Sequence, residues 1–365
     1  MRKTILLFPI VPLLIIGALE AGHPAQQGSP SLISVLREID ALEFCGEPVP
    51  LENRDVRERL EKEVLLSVWD RPQVILWLKR STRYLPIIES MLREKGMPED
   101  LKFLSIAESA LRPHAGSPDG AIGFWQFMRE TGLKYGLEIS GRVDERRNIF
   151  ASTKAAIQYL TALKEDFGSW SLAVAAFNMG EDGLMAEILE QNTRDYYLLY
   201  LPLETQRYIF RVLSVKLILN DPDRYGFKLE KSDYYAPLDY DEVSVRCEQE
   251  IPIRMIAQAA GTHFKAIKDL NPEIRGHYLP KGDHRILIPR GAAFGFGERY
   301  EQLAKRLEQD GRQRIYIVES GDNLSLIAEK FGVPLSALII WNRLSLGRPI
   351  HPGDRLIIYP QDLAE

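Results

Sequence analysis

A single carboxylate, Glu108, interrupts an otherwise apolar helical run, Leu101-Lys102-Phe103-Leu104-Ser105-Ile106-Ala107-Glu108-Ser109-Ala110-Leu111. At about 100° per residue, Leu101, Leu104, Glu108 and Leu111 share one flank. Phe103, Ile106, Ala107 and Ala110 form the apolar side; Lys102, Ser105, Ser109 and Arg112 form the polar side. Such a helix has to be packed against a core, and Glu108 then stands at the seam between core and water. Pro113 ends the helix, Ser117-Pro118-Asp119-Gly120 fits a type I turn, and the aromatic run Gly123-Phe124-Trp125-Gln126-Phe127-Met128 follows, with a period that separates neither strand from helix. A loop of this kind can fold back over the glutamate. A partly desolvated carboxyl holds its proton to higher pH, as a general acid near neutrality requires. The competing reading is a solvated surface glutamate, since perturbed carboxylates mark sites only probabilistically.

Composition narrows the chemistry. The chain has 365 residues, long enough for more than one packed unit, and a net charge of −5, which gives no electrostatic reason to expect nucleic acid. Its cysteines, Cys45 and Cys247, form no C-x-x-C pair, and the histidines lack ligand spacing, so neither metal nor cofactor is expected. The two cysteines either pair in an oxidising compartment or are buried small residues. Arg2 and Lys3 precede an apolar run over 5–19 that ends near Ala18-Leu19-Glu20-Ala21. This reads as a signal peptide over 1–21, hence export to the periplasm or cell envelope. The run is short for a membrane span and carries Pro9 and Pro12, so membrane association is expected only if the segment is retained as an anchor. No cysteine near its end offers a lipid attachment site.

Residues 32–96 read as a helical scaffold: a mixed-charge stretch over 57–63, a helix opened by Pro72, and another over 84–95 stopped by Gly96 and Pro98. Residues 97–230 read as a compact α domain, with helices over 149–167 capped by Asn148, 170–178 capped by Ser169, and 203–220. The texture then changes. Segments 243–290 and 314–360 share an order: strand, helix, glycine, helix, asparagine (Asn271, Asn342), Gly-Asp, strand. Two such modules each carry a small core. Residues 291–313 read as the linker between them. The expected fold class is mainly α with small α+β (βααβ) modules at the C-terminus.

Glu108-Ser109-Ala110, Gly123 to Met128 and Ala176-Phe177-Asn178-Met179-Gly180 resemble the three ordered motifs of the soluble lytic transglycosylase, or goose-lysozyme-like, fold. Leu201-Pro202-Leu203-Glu204-Thr205-Gln206-Arg207-Tyr208 is similar to the membrane-bound lytic murein transglycosylase D branch. The C-terminal modules resemble LysM repeats. The second carries Gly321-Asp322-Asn323-Leu324 and Ile350, whereas the first has Glu248-Gln249-Glu250 where the Gly-Asp turn belongs.

The resemblance implies a peptidoglycan lytic transglycosylase that cleaves the β-1,4 bond between N-acetylmuramic acid and N-acetylglucosamine and leaves a 1,6-anhydro sugar. It implies Glu108 as acid and then base, with Ser109, Ser117, Gln126, Phe177, Asn178, Glu204 and Tyr208 as substrate-binding residues. Gly321, Asp322, Asn323, Leu324 and Ile350 are the implied glycan-binding positions. Phe177 departs from the tyrosine usual there, keeping a stacking face and losing a hydroxyl. The rival readings are a muramidase of the same fold, which transfers to water, and a non-catalytic LysM binder of peptidoglycan.

Overall fold

The structure, a computed structural model, describes residues 31–310, 314–342, 344 and 349–358. The segment read as a signal peptide lies outside these residues. The first helices are α1 (Leu32–Arg37), α2 (Arg54–Trp69) and α3 (Arg71–Glu94), with a short hairpin, β1 (Glu43–Phe44) and β2 (Glu47–Pro48), between α1 and α2. Pro72 sits in the first turn of α3 as expected, but α3 runs unbroken through Pro86, so 84–95 is its second half rather than a separate helix. The next segment adds α4 (Lys102–Ser109), α5 (Arg129–Lys134), α6 (Ile149–Phe167), α7 (Trp170–Met179), α8 (Glu181–Gln191) and α9 (Leu203–Asn220). The Asn148 side chain caps α6 by accepting from the Phe150 and Ala151 amides, and the Ser169 side chain caps α7.

One core unites all of this. It runs from Val35 through Leu104, Trp125 and Ala176 to Phe227, so the N-terminal scaffold and the helices around Glu108 fold as one body. α9 is its axle. The Ser214 and Ser67 hydroxyls meet at 3.0 Å, and Arg207 pairs with buried Glu63 on α2 at 2.6 Å.

The first module comprises β3 (Tyr240–Cys247), β4 (Ile251–Pro252), α10 (Ile253–Ala259), α11 (Phe264–Leu270), β5 (Tyr278–Leu279) and β6 (Gly282–Pro289). β3 and β6 pair antiparallel, from Tyr240 opposite Pro289 to Cys247 opposite Gly282. The stretch read as a linker holds α12 (Phe296–Asp310), which sends Phe296 and Tyr300 into this module's core. The second module has β7 (Arg314–Ile317), α13 (Leu324–Lys330), α14 (Leu335–Asn342) and β8 (Arg355–Ile358), with β7 antiparallel to β8. One staple recurs in both. Asn271 donates to Leu287 O and accepts from Leu287 N, each at 2.8 Å; Asn342 does the same to Ile357 at 2.8 and 2.6 Å. The fold is mainly α with two small βααβ modules, as the sequence predicts. Cys45 and Cys247 are free: Cys45 flanks the large core and Cys247 is buried in the first module.

Candidate active site

α4 differs from expectation at its C-terminus. It stops at Ser109 because Ala110 and Leu111 both turn left-handed, with φ of 52° and 58°. The polar side expected to be wet is also partly buried. Ser105 donates to Lys102 O, and Ser109 donates to Ser105 O at 3.0 Å and to Phe124 O at 2.9 Å. Hydroxyls that bond their own helix backbone can be buried without an orphaned polar group. Ser109 therefore ties the loop to α4 and does not line the cleft, which corrects its assignment as a substrate contact.

The loop over 110–128 is built from turns. Ser117 O accepts from the Gly120 amide at 3.1 Å, closing the expected turn, and Ser117 Oγ accepts from the Ala121 amide at 3.1 Å. Gln126, at φ 47°, folds its amide back to donate to Gly123 O at 2.8 Å. Trp125 is fully buried, with its indole N–H donating to Thr153 Oγ1.

A cleft of about 490 Å³ opens between this loop, α7 and α9. Glu108, Ser117, Gln126, Phe177, Asn178, Glu204 and Tyr208 all line it, although they come from separate stretches of the chain. Tyr208 donates its hydroxyl to Glu108 Oε1. Asn178 Oδ1 accepts from Thr205 at 2.8 Å, which joins α7 to α9. Phe177 packs edge-on against Trp125 and Phe127 and tilts against Tyr159.

Burial pushes the Glu108 carboxyl up to about 7, beyond what the Tyr208 hydroxyl and the Arg211 charge take back; Glu204 adds to the rise. With Oε1 held as an acceptor by Tyr208, the acid proton belongs on Oε2. Tyr208 itself is raised well above the usual phenol range, chiefly by burial and then by the neighbouring carboxylate, so it stays a donor.

Residues outside the sequence reading also line the cleft. Among the described residues, Arg211 is the one cation of the lining, beside Glu108, Asp119, Glu181 and Glu204. The i, i+4, i+7 spacing of Glu204, Tyr208 and Arg211 on α9 was the signal that could have found it. Glu181 accepts from Tyr159 and Lys134, whose donors hold its carboxyl below the usual range. Asp144, a second acid near the motif, is fully buried against Arg146 and faces no cleft.

In the second module the implied glycan positions are partly committed to the fold. Asp322 accepts from the Tyr316 hydroxyl at 2.6 Å and the Glu319 amide at 2.8 Å, and Asn323 caps α13. Gly321 supplies a φ of 94° in the turn from Glu319 to Asp322, and Leu324 and Ile350 pack against the module's core.

Comparison with known proteins agrees with this architecture. The transglycosylase SLT domain family matches residues 86–199, the LysM domain family 316–358, and the family described as "Lytic transglycosylase MltD, LysM-like domain" 240–305. Membrane-bound lytic murein transglycosylase D of Escherichia coli, in strains K12 and CFT073, is 31% identical over 342 residues, spanning 89% of this chain and 74% of the relative. The 70 kDa soluble lytic transglycosylase of Escherichia coli aligns over 57% of this chain and 39% of its own, with TM-score 0.35 and 17% identity. With 31% identity to the murein transglycosylase D sequence over 89% of its length, the chain belongs to the membrane-bound lytic murein transglycosylase D family.

Proposed function

We propose that the cleft performs lytic transglycosylation on peptidoglycan with Glu108 as its only proton-transfer carboxyl. The activity and the substrate follow from the family and its LysM modules, and both support a location in the cell envelope. The observation that carries the role of Glu108 is its carboxyl at the cleft wall, raised to about 7 by burial and held by Tyr208.

Neutral Glu108 protonates the glycosidic oxygen from Oε2, and the substrate's 2-acetamido group supports the positive anomeric carbon. The resulting carboxylate, stabilised by Tyr208 and Arg211, accepts the proton of the C6 hydroxyl as that oxygen attacks C1. The bond from C1 to the leaving oxygen breaks, the bond from C1 to O6 forms, and Glu108 ends protonated again. Ordinary glycosidases place a second carboxyl as nucleophile or to activate water. Here the internal hydroxyl replaces it. Ser117, Gln126 and Asn178 hold the acetamido and hydroxyl groups, Phe177 stacks on a sugar face, and Glu204 bonds sugar hydroxyls from the open side. The second module keeps the enzyme on its polymer, raising local substrate concentration. The N-terminal segment directs export to the periplasm, with membrane attachment only if it is retained.

Mass spectrometry of digested sacculi tests the reaction. Anhydro-muramic ends, lighter by one water, are expected; reducing ends alone would assign the muramidase reaction.

A further inference from the structure

The cleft loop and the first module are connected by a buried ion pair that the proposed reaction does not use. Arg146 is 5% exposed and Asp144 0%. The guanidinium forks onto the carboxylate, Nε to Oδ1 and Nη2 to Oδ2, both at 2.9 Å. Its remaining Nη1 donates to Gly120 O at 3.0 Å and to Phe127 O at 3.1 Å. One side chain thus fastens both ends of the segment that carries Gln126 and closes the Ser117 turn. The same segment lies directly on the Arg146 backbone: a Cβ on Gly123 would fall 1.8 Å from Arg146 O.

Asp144 is in turn fixed from outside the catalytic body. Its amide donates to Glu273 O at 2.9 Å, Arg275 N donates to Arg142 O at 2.7 Å, and Val143 bridges antiparallel to Ile274. Ile274 is anchored in the first module's core, and Glu250, from the stretch that replaces the Gly-Asp turn, pairs with Arg142. A buried Arg–Asp pair gives little net stability compared with apolar residues of the same volume. What it supplies here is direction, because five N–H donors in a rigid fork fix the positions of their acceptors.

We propose that Arg146 is a positioning residue for the cleft loop and that the first module, by pairing its 273–275 edge with 142–144, holds that residue in register. The divergent module is then a structural part of the active site. Sealing the loop against water is its consequence for the reaction, which rests on the function proposed above.

The test uses the full chain and two variants. Arg275→Pro removes one donor from the seam and leaves the ion pair untouched; Arg146→Met removes the fork. Hydrogen exchange, which requires no activity, reads the coupling: in Arg275→Pro, faster exchange at 142–145 should be accompanied by faster exchange at 120–127. Digestion reads the consequence. A roughly 1 Å misplacement costs about 10²-fold, so Arg146→Met should lose turnover on that order and Arg275→Pro several-fold. In both, the fraction of reducing ends should rise as water competes with the C6 hydroxyl, while sacculus binding persists. Loop exchange unchanged beside a loosened seam would overturn the coupling, whether or not Arg146→Met folds. An unchanged product ratio in a folded Arg146→Met would overturn the positioning role. Neither result would touch the assignment of Glu108.

Discussion

Glu108 and Glu273 are both raised to about 7, and in both the largest cause is burial. Their surroundings differ in kind. Glu108 lines an open cleft and has a hydroxyl on one oxygen and a guanidinium nearby. Glu273 lies in the seam between the catalytic body and the first module, where its buried Oε2 has no hydrogen-bond partner among the described residues. Burial alone makes a carboxyl hold its proton; only a cleft and a partner that stabilises the anion let it give the proton up and take it back. The same shift therefore fits the proposed proton transfer at one site and a pH-dependent cost to stability at the other.

The largest separation between the two should come from Glu108→Gln. Positioned general acid–base groups contribute about 10²–10⁴-fold, so muropeptide release should fall by at least that much while sacculus pull-down persists. Glu273→Gln should leave the alkaline limb of the pH–rate profile where Glu108 sets it, near 7. A limb that moved with Glu273 would break the assignment.

Stability should separate them next. Glu273 has a folded-state pKa of about 7 against an ordinary 4.5. The folded form therefore binds the proton more tightly. Stability is fully present below about 4.5, declines as pH rises through 7, and stays low above it. At 1.36 kcal/mol per unit, the cost of the buried anion is on the order of 3 kcal/mol. Glu273→Gln should raise the thermal midpoint at pH 8 and change it little at pH 4.5. Equal shifts at both values would show that the gain is packing and not charge.

How much of this contrast the sequence could reveal follows from the range of each interaction. Glu108 was legible because an acid in an apolar 3.6-residue period is a local anomaly, and the Asn148 and Ser169 caps and the turn at Ser117 were legible because each is closed within four residues. Ser109 was misassigned because its partner, Phe124 O, lies beyond a turn whose path helical periodicity does not encode. The early end of α4 is of the same kind, since Ala110 and Leu111 are ordinary helix formers driven left-handed by tertiary packing. Glu273 and Arg146 sit in unremarkable charged stretches and acquire meaning only when two distant segments meet. The packing of α12 on the first module was hidden for the same reason.

A smaller effect is expected from Tyr208→Phe. The hydroxyl favours the Glu108 anion, so its loss should cost about ten- to a hundredfold, the worth of one hydrogen bond to a charged group. The alkaline limb should move upward as well, because the acid then holds its proton more tightly. A drop in turnover with an unmoved limb would mean that Tyr208 only pins α9 to α4.

The finest test is a pair of opposite sign on α9. Arg211 lowers the Glu108 pKa and Glu204 raises it. Arg211→Met should therefore move the alkaline limb up, and Glu204→Gln should move it down. Arg211 is half-buried and Glu204 exposed, so solvent screens both and each displacement should be a fraction of a unit. Screening supplies the control: raising the salt concentration shortens the Debye length from about 10 Å at 0.1 M to 3 Å at 1 M. Both displacements should shrink with salt, Glu204's more than Arg211's because it is the more exposed. Turnover lost without any shift in the limb would instead make these side chains substrate contacts, and the electrostatic distinction between Glu108 and Glu273 would then rest on burial and Tyr208 alone.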